Sequence, residues 1–354
     1  MRPRAALLLL AIATSARAHS VTNEVFVNAA QSSETNPRSS VFTDSLNASF
    51  DLNDNWTLFA GASVTVQSGT DAATVAGFDQ SSSPIARFNA GADWAVDDRW
   101  TLGLTLDLAP DSTQFGVASV PATGTNSQVE AEVHSDTSEV GAAFDLSWDS
   151  LGRSDLEWSF NAGLGFSHSS VTQSIPRVRS ASGQTVTPAQ FTQRYCAAHP
   201  RIKNCAQNLA DAFSGTEKPV DAERFSAGAT ATVFQNTAFS LLADAYVYNE
   251  YPGVLDSRLA MLSDGAGLPI APLQYLIRFE VLRRFGDLSA KLWFEGGEYV
   301  SGTGQDTEGL GLRVQYRFSK ALRAWVTASG RRDVDDRRVA TGSGTISLGA
   351  GYRW

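Results

Sequence analysis

The sequence predicts an all-β fold, a 14-stranded antiparallel transmembrane β-barrel, and three observations predict it. Along most of the chain apolar and polar residues alternate with period two, in arms of about 9–12 residues, the length a tilted strand needs to cross a bilayer. Connections between the arms alternate strictly between short turns and long polar loops. Six of the eight tryptophans fall at the level of the short turns, a placement that a water-soluble sandwich has no reason to make and that the aromatic girdle of a barrel requires.

The clearest stretch is Ile85–Leu108. Its first arm places Ala86, Phe88, Ala90, Ala92, Trp94 and Val96 on one face and Arg87, Asn89, Gly91 and Asp93 on the other. After Asp97-Asp98-Arg99 the second arm repeats the rule, with Trp100, Leu102, Leu104, Leu106 and Leu108 against Thr101, Gly103, Thr105 and Asp107. A three-residue turn between two such arms makes a hairpin.

Three arms precede it: a weak Val21–Gln31, then Val41–Leu52 and Trp56–Gln67, the last two joined at Asn53-Asp54-Asn55. A polar loop, Ala109–Ser127, follows it, with a continuation to Asp136 able to prolong the strands. Ser138–Trp148 and Leu156–His168 come next. The longest interruption is Ser169–Asp221, which contains a helical-looking Pro188–Phe213 with Thr187 as N-cap before a proline at the first helical position. Alternation resumes in Ala222–Phe234 and Ala238–Asn249. After the loop Glu250–Pro272 come Leu273–Arg283, Leu288–Tyr299, Thr307–Phe318, Ala321–Arg331 and Thr341–Trp354.

Residues 1–18 read as a secretory leader: Arg2 and Arg4, the apolar run Ala5–Ala13, and Ala16-Arg17-Ala18 as the cleavage site, so that the mature chain starts at His19. The formal charge is −9. The leader carries three arginines and no acid, which leaves −12 on the mature chain. That argues against general nucleic-acid binding and against a basic membrane-surface protein. Cys196 and Cys205, close together in one polar segment of an exported chain, are expected to form a local disulfide; a metal pair or a reactive thiol is the alternative.

The last arm alternates Ile346, Leu348, Ala350 and Tyr352 up to a terminal Trp354. This resembles the C-terminal signature of bacterial outer-membrane β-barrel proteins, porin-like in architecture, although most of those end in Phe. The resemblance covers the mature chain and names no subfamily. It implies a Gram-negative outer membrane, short periplasmic turns and long extracellular loops. It further implies lipid and lipopolysaccharide around the wall, and the barrel-assembly machinery as reader of the last strand.

With the apolar face toward lipid, the opposite register lines the lumen. From the second to the seventh arm it carries six acids, among them Asp93, Asp107, Glu139 and Asp145, against Arg87. The last six arms carry seven cations, among them Arg278, Lys291, Arg313 and Arg323, against three acids. These eight named residues are the expected pore lining. Opposed acidic and basic walls resemble the constriction zone of diffusion porins and make a field across the pore that favours small polar or charged solutes. Trp293, Trp325, Tyr246 and Tyr248 share that register and offer ring faces to a sugar or aromatic solute, or simply fill space.

The long loop is basic at Arg177, Arg179, Arg194, Arg201 and Lys203, which suits capture of an anion or lipopolysaccharide phosphate, or nothing beyond solvation. A second reading is a structural barrel within a larger envelope complex. A third is a rim hydrolase: pairing Trp148 with Leu156 sets His168 beside Ser135 and Asp136, with His134 adjacent. No catalytic residue is assigned on that pattern, no enzymatic activity is expected, and neither a cofactor nor a metal is called for.

Overall fold

The computed structural model describes residues 20–32, 38–69, 84–121, 128–150, 155–179, 183–213, 216–249, 273–300, 306–334 and 340–353. The predicted leader, the loop Glu250–Pro272 and Trp354 lie outside or almost wholly outside these.

Strands β1 (Ser20–Ser32), β2 (Arg38–Asn53), β3 (Trp56–Gly69) and β4 (Ile85–Ala95) open the chain. The long strands β5 (Trp100–Pro121), β6 (Gln128–Asp149) and β7 (Leu156–Arg179) follow. Next come β8 (Thr185–Val186) and helices α1 (Pro188–Ala198) and α2 (Cys205–Ala212). The wall resumes with β9 (Thr216–Val233), β10 (Thr237–Tyr248), β11 (Leu273–Phe285) and β12 (Leu288–Tyr299). It ends with β13 (Asp306–Arg317), β14 (Leu322–Val334) and β15 (Ala340–Arg353).

Each wall strand pairs antiparallel with its neighbours, β7 pairs with both β6 and β9, and β1 pairs with β15, so fourteen strands close into a ring. Closure satisfies every edge, which hydrocarbon demands of a strand-built crossing. The short β8 stands apart, paired only with the outer end of β7.

The alternation decides which side is which. Leu106, Phe144, Leu241 and Ile346 are 54, 53, 54 and 60% exposed on the outside of the ring. A soluble sheet would bury these residues. Around the short turns, Trp56 stacks on Trp94 at 5.8 Å, and Trp100 meets Trp148 at 6.4 Å. Trp158 and Trp148 both pack on Phe160. The fold is that of an outer-membrane β-barrel with its apolar band turned to lipid and its girdle at the short-turn end. Polar outward residues interrupt the pattern in places: the Asp44 carboxylate, facing out beside Val64, accepts a hydrogen bond from Asn23 Nδ2 at 2.8 Å.

Four strands, β5, β6, β7 and β9, outrun their predicted bounds by six residues or more. The loop expected from Ala109 is β5 as far as Pro121, and the one expected from Ser169 is β7 as far as Arg179, resumed as β9 at Thr216. Above the band the outer face no longer meets hydrocarbon, so the ladder persists while the apolar alternation disappears. The segment described between β7 and β9 is 183–213. It carries a small core of its own: Phe191, Leu209 and Phe213 pack with Ala131, Ile175 and Val178 of the prolonged β6 and β7. Thr187 caps α1 in a reciprocal box with Gln190, and Cys196 and Cys205 are joined as a disulfide linking the two helices. This helical cap therefore stands on the β6–β7 extension. At its root Glu132, 1% exposed, meets His134 Nε2 at 2.5 Å and Arg177 Nε at 4.0 Å.

Candidate pore lining

The inward register of the wall brings the predicted charges into one space, and small residues make room for them. A Cβ on Gly103 would lie 3.0 Å from Asp93 Oδ1 and 3.6 Å from the Asp145 Cβ, so β4 and β6 press these carboxylates toward each other across β5. Asp107 shares the face of Gly141. Asp93 precedes the girdle residue Trp94 and so lies near the short-turn mouth; Asp107 is seven residues above the girdle residue Trp100.

On the other side two tryptophans lie flat because the opposite strand offers glycine. A Cβ on Gly311 would fall 1.9 Å from the Trp293 ring, and one on Gly349 2.2 Å from Trp325. A cation covers each ring: Lys291 Nζ is 5.7 Å from the Trp293 centroid, and the Arg313 guanidinium is 4.4 Å from that of Trp325. Trp325 is thereby 7% exposed and is a shelf under Arg313, not an open stacking surface. Tyr246 and Tyr248 stack on each other at 6.3 Å, and the Tyr248 hydroxyl donates to the Leu273 carbonyl.

Many of the expected charges are already matched. Arg278 holds Glu295 at 2.6 Å, Lys291 holds Glu280 at 3.3 Å, and Arg87 lies 3.6 Å from Glu139. Arg323 is paired with Glu24 across the β14–β15–β1 seam. Arg224, an inward cation on β9, pairs with Asp244 at 2.7 Å. The sequence pattern does not count it, because its strand lies between the two charged walls. Among the described residues Asp93, Asp107 and Asp145 on one side and Arg313 on the other make no ion pair, and the Arg313 Nε has no hydrogen-bond partner. Around a ring of fourteen, β13 is seven strands from β5, so Arg313 and Asp107 stand on opposite walls. Unpaired charges of this kind tolerate water and not a dry core. Toward the long-loop end the inward Thr43, Ser112, Thr137, Ser169 and Thr307 are only 3–7% exposed, so the lumen is closely packed there.

The rim grouping of the third reading, His168 beside Ser135 and Asp136, is not assembled. β6 and β7 pair with Trp148 opposite Phe160, not Leu156, a shift of four residues. Leu156 and Trp158 continue below the end of β6 and pair with β9. His168 therefore sits opposite Val140, while Ser135 and Asp136 face Gln173 and Thr172. His134 points to Glu132 in the cap root. Of the basic loop residues, Arg177 nears Glu132, Arg194 Nη1 donates to Gln184 Oε1 at 3.5 Å, and Arg201 and Lys203 are exposed.

No family model and no curated protein sequence matches the chain. Solved structures of similar fold include the CymD monoaromatic hydrocarbon channel, with 9% identity, a TM-score of 0.52, and 95% of this chain matched to 89% of that one. The TodX monoaromatic hydrocarbon channel deltaS2 mutant gives 10%, 0.55, 94% and 89%. The toluene transporter TodX of P. putida gives 11%, 0.50, 94% and 88%. At these identities the similarity is one of fold: the chain is an outer-membrane-type barrel of the architecture used by channels.

Proposed function

We propose that the barrel is an outer-membrane channel for passive diffusion of small polar or charged solutes. The observation that carries this reading is a set of lumen charges that make no ion pair among the described residues, Asp93, Asp107 and Asp145 facing Arg313 across the ring. Such groups hold water in the lumen and set a field across it. The same charges argue against the hydrocarbon cargo named for the CymD and TodX channels, because an apolar solute gains nothing from displacing that water. Exposed Arg201 and Lys203 on the cap suit contact with lipopolysaccharide phosphates. The runner-up, a structural envelope barrel, draws on the several matched ion pairs in the lumen. Planar-bilayer recording of the purified protein tests the choice. The channel reading expects discrete conductance steps that Asp107→Ala and Arg313→Ala alter, and a silent, fully folded barrel would refute it.

A further inference from the structure

The outer wall carries a cavity that the channel does not use. Two rungs of the ladder, both facing outward, form it at the top of the apolar band. The upper rung runs Val140, His168, Asp221, Asn249 across β6, β7, β9 and the end of β10; the lower runs Leu106, Ala142, Phe166, Glu223, Val247. Between them lies a furrow of 530 Å3. Its floor is apolar and continuous with the lipid-facing band, and its upper lip is polar. In a bilayer that is the depth at which acyl chains meet their ester linkages.

The polar lip is ordered. His168 Nδ1 lies 2.5 Å from Asp221 Oδ1. Asn249 Nδ2 donates to Asp221 Oδ2 at 2.6 Å, and the Asp221 amide donates back to Asn249 Oδ1 at 3.0 Å. The carboxylate is thus held from both sides, and it fixes the imidazole with its proton on Nδ1 and its Nε2 lone pair free. Ser170 lies two residues further along β7, on the same outward face and one rung above His168. Ser138 is paired directly opposite it on β6.

We propose that Ser170, His168 and Asp221 form a lipid-facing esterase site whose substrates are neutral or zwitterionic glycerolipids of the outer leaflet. Ser170 Oγ attacks the ester carbonyl carbon while its proton passes to His168 Nε2. Asp221 is a positioning residue: it keeps the imidazole in the required tautomer and stabilises the imidazolium. The Ser138 hydroxyl is the donor available to the developing oxyanion. Collapse breaks the bond between the acyl carbon and the glycerol oxygen, and His168 returns the proton to that oxygen. A water molecule from the headgroup layer then attacks the acyl-serine with His168 as base, which releases the fatty acid and restores Ser170. Glu223 beside Asp221 makes the furrow acidic and disfavours anionic headgroups. The acyl chain follows Leu106, Phe166 and Val247 down the wall.

The test is fatty-acid release from phosphatidylethanolamine in mixed dodecyl-maltoside micelles by the purified full chain, with folding checked by heat-modifiable electrophoretic mobility. Release by the wild type should fall about 100-fold or more in Ser170→Ala and in His168→Ala. Asp221→Asn should reduce it and move its pH profile, with partial rescue by Asp221→Glu. A fluorophosphonate probe should label Ser170 in the wild type and not in His168→Ala. Phosphatidylglycerol should be the poorer substrate. Wild-type release no greater than that of folded Ser170→Ala would overturn the proposal, as would a probe that never labels Ser170. Bilayer conductance of the same variants should be unchanged, so this site and the pore fail or stand separately.

Discussion

Replacing Arg313 by alanine removes a lumen cation that makes no ion pair among the described residues. Arg313 lies flat on Trp325 at 4.4 Å, with its Nε unpartnered. An ion passing within about 4 Å of the guanidinium in a water-like lumen interacts by roughly 1 kcal/mol, and more where the effective dielectric falls. Loss of that attraction costs an anion about fivefold, and loss of the matching repulsion favours a cation about fivefold. The cation-to-anion permeability ratio should therefore rise roughly 5- to 30-fold at about 0.01 M salt and flatten near 1 M, where the screening length shrinks from about 30 Å to about 3 Å. Arg313→Lys should preserve the wild-type ratio. The double change Arg278→Ala with Glu295→Ala deletes a pair already joined at 2.6 Å and should leave the ratio nearly as it was. Reversal potentials across a KCl gradient read all three. A ratio that Arg313→Ala leaves within twofold of wild type at low salt would refute the reasoning.

Further outcomes follow from other parts of the wall and cap. Gly311→Ala drives a methyl to 1.9 Å from the Trp293 ring; overpacking of this kind costs about 1–3 kcal/mol and should show in urea unfolding. Gly344→Ala, with nothing within 4 Å of the added carbon, is the matched control and should be near neutral. Reduction of the Cys196–Cys205 bridge releases a loop with a sequence separation of 9. The chain-entropy cost is about 2.5–3 kcal/mol, confined to the cap, so limited proteolysis within 183–213 should quicken while the barrel's melting is unmoved.

Much of the wall was legible because one physical rule writes it: alternate side chains meet water and hydrocarbon. The fourteen arms, the girdle tryptophans, the Thr187 cap and the disulfide all follow from local pattern. Where hydrocarbon ends, so does the rule, and the outer halves of β5, β6 and β7 read as loop. Register across a hairpin depends on where the turn closes, and four residues of overhang at Leu156 moved His168 away from Ser135 and Asp136 and onto Asp221. Pairings made by ring closure leave no local trace at all. Arg323 finds Glu24 at the opposite end of the chain, and that pair, with the others, neutralises much of the expected charge separation, while Asp93, Asp107, Asp145 and Arg313 are among the charges outside any ion pair.

The account rests on which side of the pleat meets lipid, and a paired substitution on β5 tests it most directly. Leu104 points out at 37% exposure, while Thr105, the next residue, points into the ring opposite Gly91. Arginine placed at Leu104 should cost about 2–4 kcal/mol in reversible urea unfolding from lipid vesicles, as expected for a charge in the hydrocarbon layer. Arginine at Thr105, among small lumen residues, should cost about 1 kcal/mol or less. Equal costs, or the larger cost at Thr105, would contradict an outward lipid face and a watered lumen.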